Sequence, residues 1–416
     1  MINRRLKLLV LYFLLLFNMA GVFAKQDLAF SVSKLVNVKT VGAEGNGKAD
    51  DTQAIINAIT LAYANKTGGV YFPKGTYLIK QKGVKAGIIK LMDGVSLIGA
   101  GPNVCHIVLS GGRFNPNSLF YQDWQRNASI NNVTISGIDF NGNLLTQRYA
   151  ADYQFCHALS INNGRNITIK NCKFQSFRGD GVLFGDTFEP SLNSRIVSNV
   201  AVHDCEFYNI YREGAMFCCV NGARFYNNYV HGNGYLVGGV DIERHSGNES
   251  VQNVAVYNNL FRFTDGYGPI ERGRKVRYRR AVTMGYFYEG YPCGVADSLS
   301  GGHMITNNQI YQGQIDCFGH VNVTINRNKI VNALENIKGL KFVSQPAINV
   351  SDAGKTSGLQ NVKVTQNYIQ SGICGNGIVF YNYNQVLARD NILKGNGLGK
   401  VALVSSSGDV ETNTYE

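Results

Sequence analysis

The stretch Ile167-Thr-Ile-Lys-Asn-Cys172-Lys-Phe174 carries the pattern that decides the fold of this 416-residue chain. Ile167 and Ile169 alternate with polar neighbours, as in a strand that buries one face. The same pattern, apolar-x-apolar-x-x-(Asn or Cys)-x-apolar, returns at Val200–Phe207, Ala223–Val230 and Val254–Phe261. Self-similar segments at intervals of this size are typical of solenoids, in which each repeat packs on its neighbours.

The sixth position of the pattern predicts a turn, because Asn accepts left-handed backbone angles at low cost. Stacked coils place equivalent residues about 4.8 Å apart, so their side chains can bond in a ladder. Cys172 and Cys205 occupy this position in two coils, and we expect them to stack as small buried side chains. The expected ladder residues, at steps of 20 to 49 residues, are Asn228, Asn259, Asn308, Asn328, Asn367 and Asn391. Helical periodicity is missing from these segments, which indicates a β-solenoid.

The N-terminal part of the chain carries three further motifs. They are the Gly42-Ala-Glu-Gly-Asn-Gly47 turn, the Asp50-Asp-Thr-Gln-Ala-Ile55 helix start and the Gly69-Val-Tyr-Phe-Pro-Lys-Gly-Thr-Tyr77 strand. Together they resemble the opening of pectate-lyase-superfamily β-helices, and the resemblance extends over essentially the whole chain beyond its leader. It implies an all-β, single-stranded right-handed parallel β-helix with an N-terminal capping helix. Asp51 or Thr52 is expected to cap that helix, Gln53–Ala64.

The N-terminal segment and the net charge predict the location and the partner of the protein. Residues 1–24 combine Arg4, Arg5 and Lys7 with an apolar run and a small-residue exit, which is typical of a cleaved signal peptide. The remaining 25–416 are expected to form one β-helix domain, with an N-terminal cap at about 36–80 and coils at about 90–405, secreted or periplasmic and without a membrane span. The formal charge is +12, or about +9 without the leader, which favours a polyanionic partner. The nine Cys include no CxxC pair, so a Cys-based metal site is not expected.

A second strand follows each turn, and three of these strands align through Gly181, Gly214 and Gly239. In the third strand, Gly238-Gly-Val-Asp241-Ile-Glu243-Arg-His245, the inward parity belongs to Val240 and Ile242. Asp241, Glu243 and His245 therefore share the outward face, where we expect them on the surface. Alternate residues of a strand lie about 6.6 Å apart. That spacing is compatible with the paired carboxyls, about 6.5–9.5 Å apart, of inverting glycoside hydrolysis. The alternative is a solvated strand face with an ordinary ion pair to Arg244 or to a neighbouring coil.

Asp180 and Glu213 form a second acidic pair, at equivalent positions one coil apart. Like charges so close would raise one of the two pKa values. Arg178, Arg212 and Arg280 lie near in sequence or register, so neutralising ion pairs are the simpler expectation. A Ca²⁺ site that uses these carboxylates is also possible, since calcium prefers clustered oxygen ligands.

The segment from Glu271 to Arg280 is the most basic part of the chain. It belongs to the longest step between repeats and is expected to project as a loop that binds anionic sugars, with aromatic rings available for stacking. The predicted substrate-binding residues are Arg272, Arg274, Arg277, Arg280, Tyr278, Tyr286 and Tyr288. Nucleic acid is disfavoured as the partner because the chain carries an export signal.

Three functional hypotheses follow. The leading one is an exported enzyme that cleaves an acidic, uronate-containing polysaccharide by glycoside hydrolysis, with Asp241 and Glu243 as the acid/base pair and His245, Asp180 and Glu213 next. A polysaccharide lyase acting by β-elimination, or a C5-epimerase, would begin instead by abstracting the proton beside a uronate carboxylate. A non-catalytic glycan-binding or exopolysaccharide-assembly protein would use the same groove without turnover.

Overall fold

Three long parallel sheets dominate the computed structural model. It describes residues 32–80, 87–112, 116–122, 128–148, 155–185, 196–232, 238–245, 249–263, 279–286, 299–332, 346–352, 361–371, 377–395 and 401–416. Within these residues the sheets contain 14, 13 and 11 strands. Each full coil contributes one strand to the first sheet, then one to the second and one to the third. The predicted right-handed parallel β-helix is confirmed.

The strands of the first sheet are Val36–Asn37, Gly69–Phe72, Ser96–Gly99, Ile130–Ser136, Gly164–Lys170, Val197–His203, Val220–Tyr226, Val251–Tyr257, Ser300–Gly301, Met304–Thr306, Val323–Asn326, Val362–Thr365, Val386–Arg389 and Gly408–Asp409. Those of the second are Asn46–Asp50, Gly75–Ile79, Cys105–Leu109, Asp139–Asn141, Lys173–Gln175, Glu206–Tyr208, Tyr229–His231, Leu260–Arg262, Gln309–Tyr311, Lys329–Asn332, Tyr368–Ser371, Ile392–Lys394 and Thr414–Tyr415. Those of the third are Ile89–Lys90, Ser118–Tyr121, His157–Ile161, Val182–Phe184, Glu213–Phe217, Gly238–Arg244, Arg279–Tyr286, Gly313–Phe318, Ile348–Ser351, Ile378–Tyr381 and Ala402–Val404. Short 3-10 turns cover Val32–Lys34, Val38–Val41 and Leu144–Thr146.

The interior is filled by columns of identical or similar apolar side chains. Phe140, Phe174 and Phe207 stack with ring centroids 5.2 and 5.0 Å apart. Each coil repeats its inward positions in register with the next, as in the pairing of Ile167 with Val200. Because successive side chains of a strand point to opposite faces, this register places the remaining residues of every strand on the outside of the solenoid.

The predicted ladder lies on the corner between the first and second sheets. The expectation that its residues adopt left-handed backbone angles is wrong, because the residue before each of them makes the turn, as at Asn227 (φ 54°) and Asn258 (φ 57°). The backbone N–H of Asn259 donates to Oδ1 of Asn308 (3.0 Å), and that of Asn308 donates to Oδ1 of Asn328 (3.0 Å). The chain of bonds runs on to Asn413. Cys172 and Cys205 are buried at the same corner, as predicted, and the backbone N–H of Cys205 donates to Asn228.

The helix Thr52–Ala64 buries Ile55, Ala58, Ile59 and Ala62 against the first coils, as expected of a cap. Asp51 occupies the N-cap position, but its side chain makes no capping bond to the helix. Its carboxylate instead accepts backbone N–H groups of the preceding loop and of the adjacent strand, including that of Glu44 at 2.7 Å. The predicted N-cap position is therefore confirmed at Asp51, but its side chain does not bond to the helix, because these more distant donors occupy the carboxylate. No helix of the described residues is long and apolar enough to cross a membrane.

Candidate active site

The third sheet owes its regular stacking to glycines that begin its strands. A Cβ on Gly181 would lie 2.6 Å from the carbonyl oxygen of Gly214, and one on Gly214 would lie 2.8 Å from that of Gly239. The same row continues at Gly239, whose Cβ would lie 2.4 Å from the carbonyl oxygen of Ala281. Only glycine allows the coils to approach this closely. The alignment of these strands in the sequence therefore reflects a true structural register.

Within the strand Gly238–Arg244, Val240 and Ile242 are buried in the interior, so Asp241 and Glu243 lie on the outer face, as predicted. The expectation that both are surface residues is wrong. Asp241 is only partly accessible, and the Glu243 side chain is 9% exposed. Carboxyls in such surroundings are poorly hydrated, which makes their protonation sensitive to neighbouring charges.

Asp180 is the most deeply buried of the predicted acids, with its side chain fully shielded from solvent. Nε of Arg212 lies 3.5 Å from Oδ1, and the backbone N–H of Glu213 donates to the same oxygen at 3.1 Å. Nδ1 of His157 lies 2.9 Å from Oδ2. Burial opposes ionisation, but Arg212 and then His157 outweigh it, so the pKa of Asp180 lies below its ordinary value. Asp180 is thus held as a carboxylate.

The pKa values of Glu213 and Asp241 are shifted in the opposite direction from that of Asp180. Burial and the nearby Asp180 carboxylate raise the pKa of Glu213 to about 8, against the opposing effect of Arg212 and Arg280. Burial, followed by Glu243 and Glu213, raises the pKa of Asp241 well above its ordinary value. Among the described residues, Oε2 of Glu213 and Oδ1 of Asp241 are shielded atoms without a hydrogen-bond partner, as is Oδ2 of Asp180. The two carboxyls therefore favour the protonated form near neutral pH.

His245 follows at the end of the same strand, where its Nε2 lies 3.5 Å from Oε2 of Glu243 and 4.0 Å from Sγ of Cys218. Arg244, between them in sequence, points into the interior and donates to Oγ of Ser300 at 3.2 Å. Its guanidinium therefore does not share the outer face with Glu243.

Arg280 borders the carboxyls from the next strand, paired in register with Gly238. Its Nε lies 3.1 Å from Oδ2 of Asp316, and Nε2 of Gln314 donates to the same oxygen at 2.7 Å. The Arg280 side chain is 40% exposed, which makes it the most accessible cation of the group. It can therefore meet an anionic ligand while Asp316 holds it in place.

The structure brings four of the five predicted catalytic acids and bases into one group, Asp180, Glu213, Asp241 and Glu243, with His245 at its edge. Arg272, Arg274, Arg277, Tyr278 and Tyr288 lie outside the described residues, as does the signal segment 1–24. Tyr286 ends the strand Arg279–Tyr286, and only its backbone is described. No group of three or more His, Cys, Asp or Glu in the described part of the chain is arranged to hold a metal ion. The Ca²⁺ site stays a prediction.

Sequence reasoning missed His157 and Asp316, and it treated Arg212 only as a neutralising partner. His157 precedes Asp180 by one coil in the same outward row, and Asp316 follows Asp241 by two, with Thr283 between them. Extending the glycine-based alignment by one strand upstream and two downstream would have found both.

Comparison with known proteins places these observations in a family. Residues 35–260 match the family model described as rhamnogalacturonase A/epimerase, pectate lyase-like. Mannuronan C5-epimerase AlgE3 of Azotobacter vinelandii is 32% identical over 171 residues, which are 40% of this chain and 9% of that protein. Plasmin and fibronectin-binding protein A of Streptococcus pneumoniae is 33% identical over 159 residues, 35% of this chain and 22% of that protein.

A solved structure, the A-module of mannuronan C-5 epimerase AlgE6 of Azotobacter vinelandii, superposes with a TM-score of 0.63 and 19% identity. The superposition covers 92% of this chain and 99% of that module, so the fold is shared along nearly the whole length. The family match itself spans more than half of the chain and includes Asp180, Glu213, Asp241 and Glu243. The chain belongs to the rhamnogalacturonase A/epimerase, pectate lyase-like family of parallel β-helix proteins.

Proposed function

We propose that this protein is a C5-epimerase of a uronate-containing polysaccharide, with its active site on the outer face of the third sheet. The A. vinelandii relatives are named as mannuronan C5-epimerases, which supports this reaction and mannuronan as the first substrate to test. The aligned stretch is only 9 to 30% of the length of these three relatives. The activity therefore has to be argued from the site itself.

Epimerisation at C5 needs three elements. The negative charge of the uronate carboxylate must be neutralised, so that the electron pair left at C5 can delocalise into it. A base removes the C5 proton from one face of the ring, and an acid returns a proton to the opposite face. No bond between sugars is broken, and no water is consumed.

The observation that carries the proposal is the contrast between the carboxyls. Asp180 is held ionised by Arg212 and His157, whereas Glu213 and Asp241 keep protons to unusually high pH. Neighbouring acids whose environments push their pKa values apart are typical of acid/base catalysis. A carboxyl with a pKa of about 8 is a far stronger base, once ionised, than an ordinary glutamate.

Roles follow from position and exposure. Arg280 binds the uronate carboxylate, because it is the accessible cation closest to the base. It pairs in register with Gly238, and the Glu213 carboxyl lies over that glycine. Glu213, ionised, then takes the C5 proton, and the protonated Asp241 delivers one to the other face. Asp180 is too deeply buried to reach a sugar and acts through Arg212 and His157, which it positions.

Glycoside hydrolysis, the leading hypothesis from sequence, is supported less well, because the enzymes among the most similar relatives are named as epimerases. β-Elimination shares the first proton abstraction and differs only in the loss of the group at C4. A non-catalytic role has its own support in the resemblance to the pneumococcal plasmin- and fibronectin-binding protein.

The decisive experiment incubates the purified protein with mannuronan in D₂O and follows the polymer by NMR. We expect deuterium at C5 with inverted configuration, no absorbance near 235 nm and no new reducing ends. Glu213→Gln should lower the rate of exchange by at least about a hundredfold. Glu411→Gln, which changes a carboxyl whose side chain is 72% exposed, serves as the matched control. Unsaturated ends would establish a lyase instead, new saturated reducing ends a hydrolase, and binding without exchange a glycan-binding protein.

A further inference from the structure

A groove runs along the corner between the first and second sheets, away from the third sheet. It encloses about 560 Å³. One wall consists of corner residues in left-handed backbone conformation, the other of the first outward residues of the second-sheet strands, and the floor of the inward residues between them. The first wall is Asn171, Asp204, Asn227 and Asn258, the second is Lys173, Glu206, Tyr229 and Leu260, and the floor is Cys172, Cys205 and Asn228.

The groove is open here because its first wall is built from short side chains. The next coil carries Asn307, whose Nδ2 donates to Oδ1 of Asn258 at 2.7 Å. The two coils after that carry longer residues at the same corner position, where Nε of Arg327 donates to Oε1 of Gln366 at 2.9 Å. At the N-terminal end, the turn at Pro102 and Asn103 closes the groove. The concavity spans four coils.

The second wall is organised by ion pairs. Nζ of Lys173 lies 3.3 Å from Oε1 of Glu206, and Nε2 of His231 lies 2.9 Å from the same oxygen. The Tyr229 ring stacks on that of His231 with centroids 4.0 Å apart and planes 7° from parallel. Lys173 and Glu206 are 28% and 37% exposed, so fixed polar groups remain accessible to a ligand. A site of this kind is preorganised, because little side-chain freedom is lost on binding.

The chemistry of the walls fits hydroxyl groups better than anions. The carboxylates of the walls are already engaged, since Oδ2 of Asp204 lies 2.6 Å from Nδ1 of His203 and Oε1 of Glu206 lies close to both Lys173 and His231. Lys173, the one ammonium of this lining, is itself paired with Glu206, so a polyanion would meet no uncommitted cation there. Amide and carboxylate groups recur at every coil, about 4.8 Å apart along the groove. A linear sugar chain laid along it would meet hydrogen-bonding partners at each coil, with the Tyr229 side chain at the edge of the groove.

We propose that this corner groove is a second glycan-binding site, separate from the active site, that takes an uncharged oligosaccharide. It goes beyond the proposed epimerase function and does not depend on it. A site for neutral glycans would hold the protein to a mixed polysaccharide matrix while the third sheet binds the uronate chains of that matrix.

The test titrates the full chain with four uncharged hexasaccharides, a β-1,4-glucan, a β-1,3-glucan, an α-1,4-glucan and a β-1,4-mannan, and with a mannuronan hexasaccharide, by NMR and calorimetry. Asn227→Arg fills the groove and keeps the fold, because Arg327 already occupies the equivalent corner with φ 52°, against 54° for Asn227. Tyr229→Ala removes part of the second wall. Tyr368→Ala changes the equivalent residue four coils further on, outside the groove, and is the matched control.

We expect at least one uncharged hexasaccharide to bind, and both groove variants to weaken it by at least about tenfold, or about 1.4 kcal/mol. Tyr368→Ala and the active-site variant Glu213→Gln should bind it like the wild type. Failure of all four sugars to bind at about 10 mM, or binding unaffected by Asn227→Arg, would overturn the proposal. So would mannuronan binding that Asn227→Arg abolishes, since it would show the groove to be an anion site.

Discussion

The Asn ladder and the outer face of the third sheet are built by the same repetition, yet they differ in how their polar groups are satisfied. In the ladder, Asn308 accepts the N–H of Asn259 and donates to the carbonyl of Val256 and to Oδ1 of Asn328. On the third sheet, the carboxyls of Glu213 and Asp241 have shielded oxygens without a partner among the described residues. Amides can donate and accept at once, whereas stacked carboxylates can only repel one another.

This difference separates stability from reactivity. A buried polar group that is fully bonded contributes to a unique fold, while one that is not remains energetically costly and chemically responsive. The neutral Asn ladder therefore stabilises the stacking of the coils, whereas the carboxyls of the third sheet are available for proton transfer.

The largest expected effect concerns the reactive face. Asp241→Asn and Glu213→Gln preserve side-chain volume and remove the proton donor or base, so each should lower turnover by about 10²- to 10⁴-fold. Binding of mannuronan should persist, and thermal stability should not fall, because a poorly hydrated carboxyl is replaced by a neutral amide. Initial rates of C5 deuterium exchange and melting curves measure both. Near wild-type turnover in the two variants would mean that the active site lies elsewhere.

Substitutions in the ladder should change the free energy of unfolding and not the activity of the site. Asn308→Ala leaves the buried N–H of Asn259 without its acceptor, which should cost about 2 kcal/mol of unfolding free energy. Asn307, its exposed neighbour, bonds to Asn258 on the surface and has a left-handed backbone (φ 54°), which glycine also adopts. Asn307→Gly should therefore cost less than about 1 kcal/mol. Urea unfolding of the two variants makes the comparison. Equal losses of unfolding free energy in the two variants would show that the buried ladder bonds contribute no more than the exposed ones.

The position of the Glu213 carboxyl can be changed without removing it. A Cβ on Gly238 would lie 2.0 Å from Oε2 of Glu213, so Gly238→Ala should displace the carboxyl and lower turnover by about tenfold. Gly285→Ala is the control, because its Cβ would meet only Cγ2 of Thr283 at 3.8 Å. Measured exchange rates should separate the two. Equal rates would mean that the placement of Glu213 does not matter.

The last expected effect is a pH dependence of stability. Glu213 has a folded-state pKa of about 8 against an ordinary value of 4.5, so between these values the folded protein holds a proton that the unfolded chain releases. Its contribution to stability is present at low pH and is lost as the pH rises towards 8. Wild type should therefore lose stability relative to Glu213→Gln between pH 5 and about 8, with a constant difference above. Parallel melting temperatures across that range would contradict the raised pKa.

Much of this could be predicted from the sequence. Two-residue alternation and the corner residue specify a coil locally, so the β-helix, the ladder from Asn228 to Asn391 and the outward parity of Asp241 and Glu243 follow from short stretches. The glycine alignment also placed Asp180 next to Glu213. The role of the basic segment up to Tyr278 and that of the leader stay predictions, since these residues lie outside the described part of the chain.

Other properties of the site depend on residues brought together from separate coils. Asp180 is ionised because Arg212 and His157, 32 and 23 residues away in sequence, converge on it. The shielding of Glu243 and the closeness of Arg280 to Glu213 likewise depend on how coils of unequal length stack. Hydrophobic alternation is a local property that the sequence alone determined. Protonation depends on burial and on charges across coils, which only the tertiary structure decided.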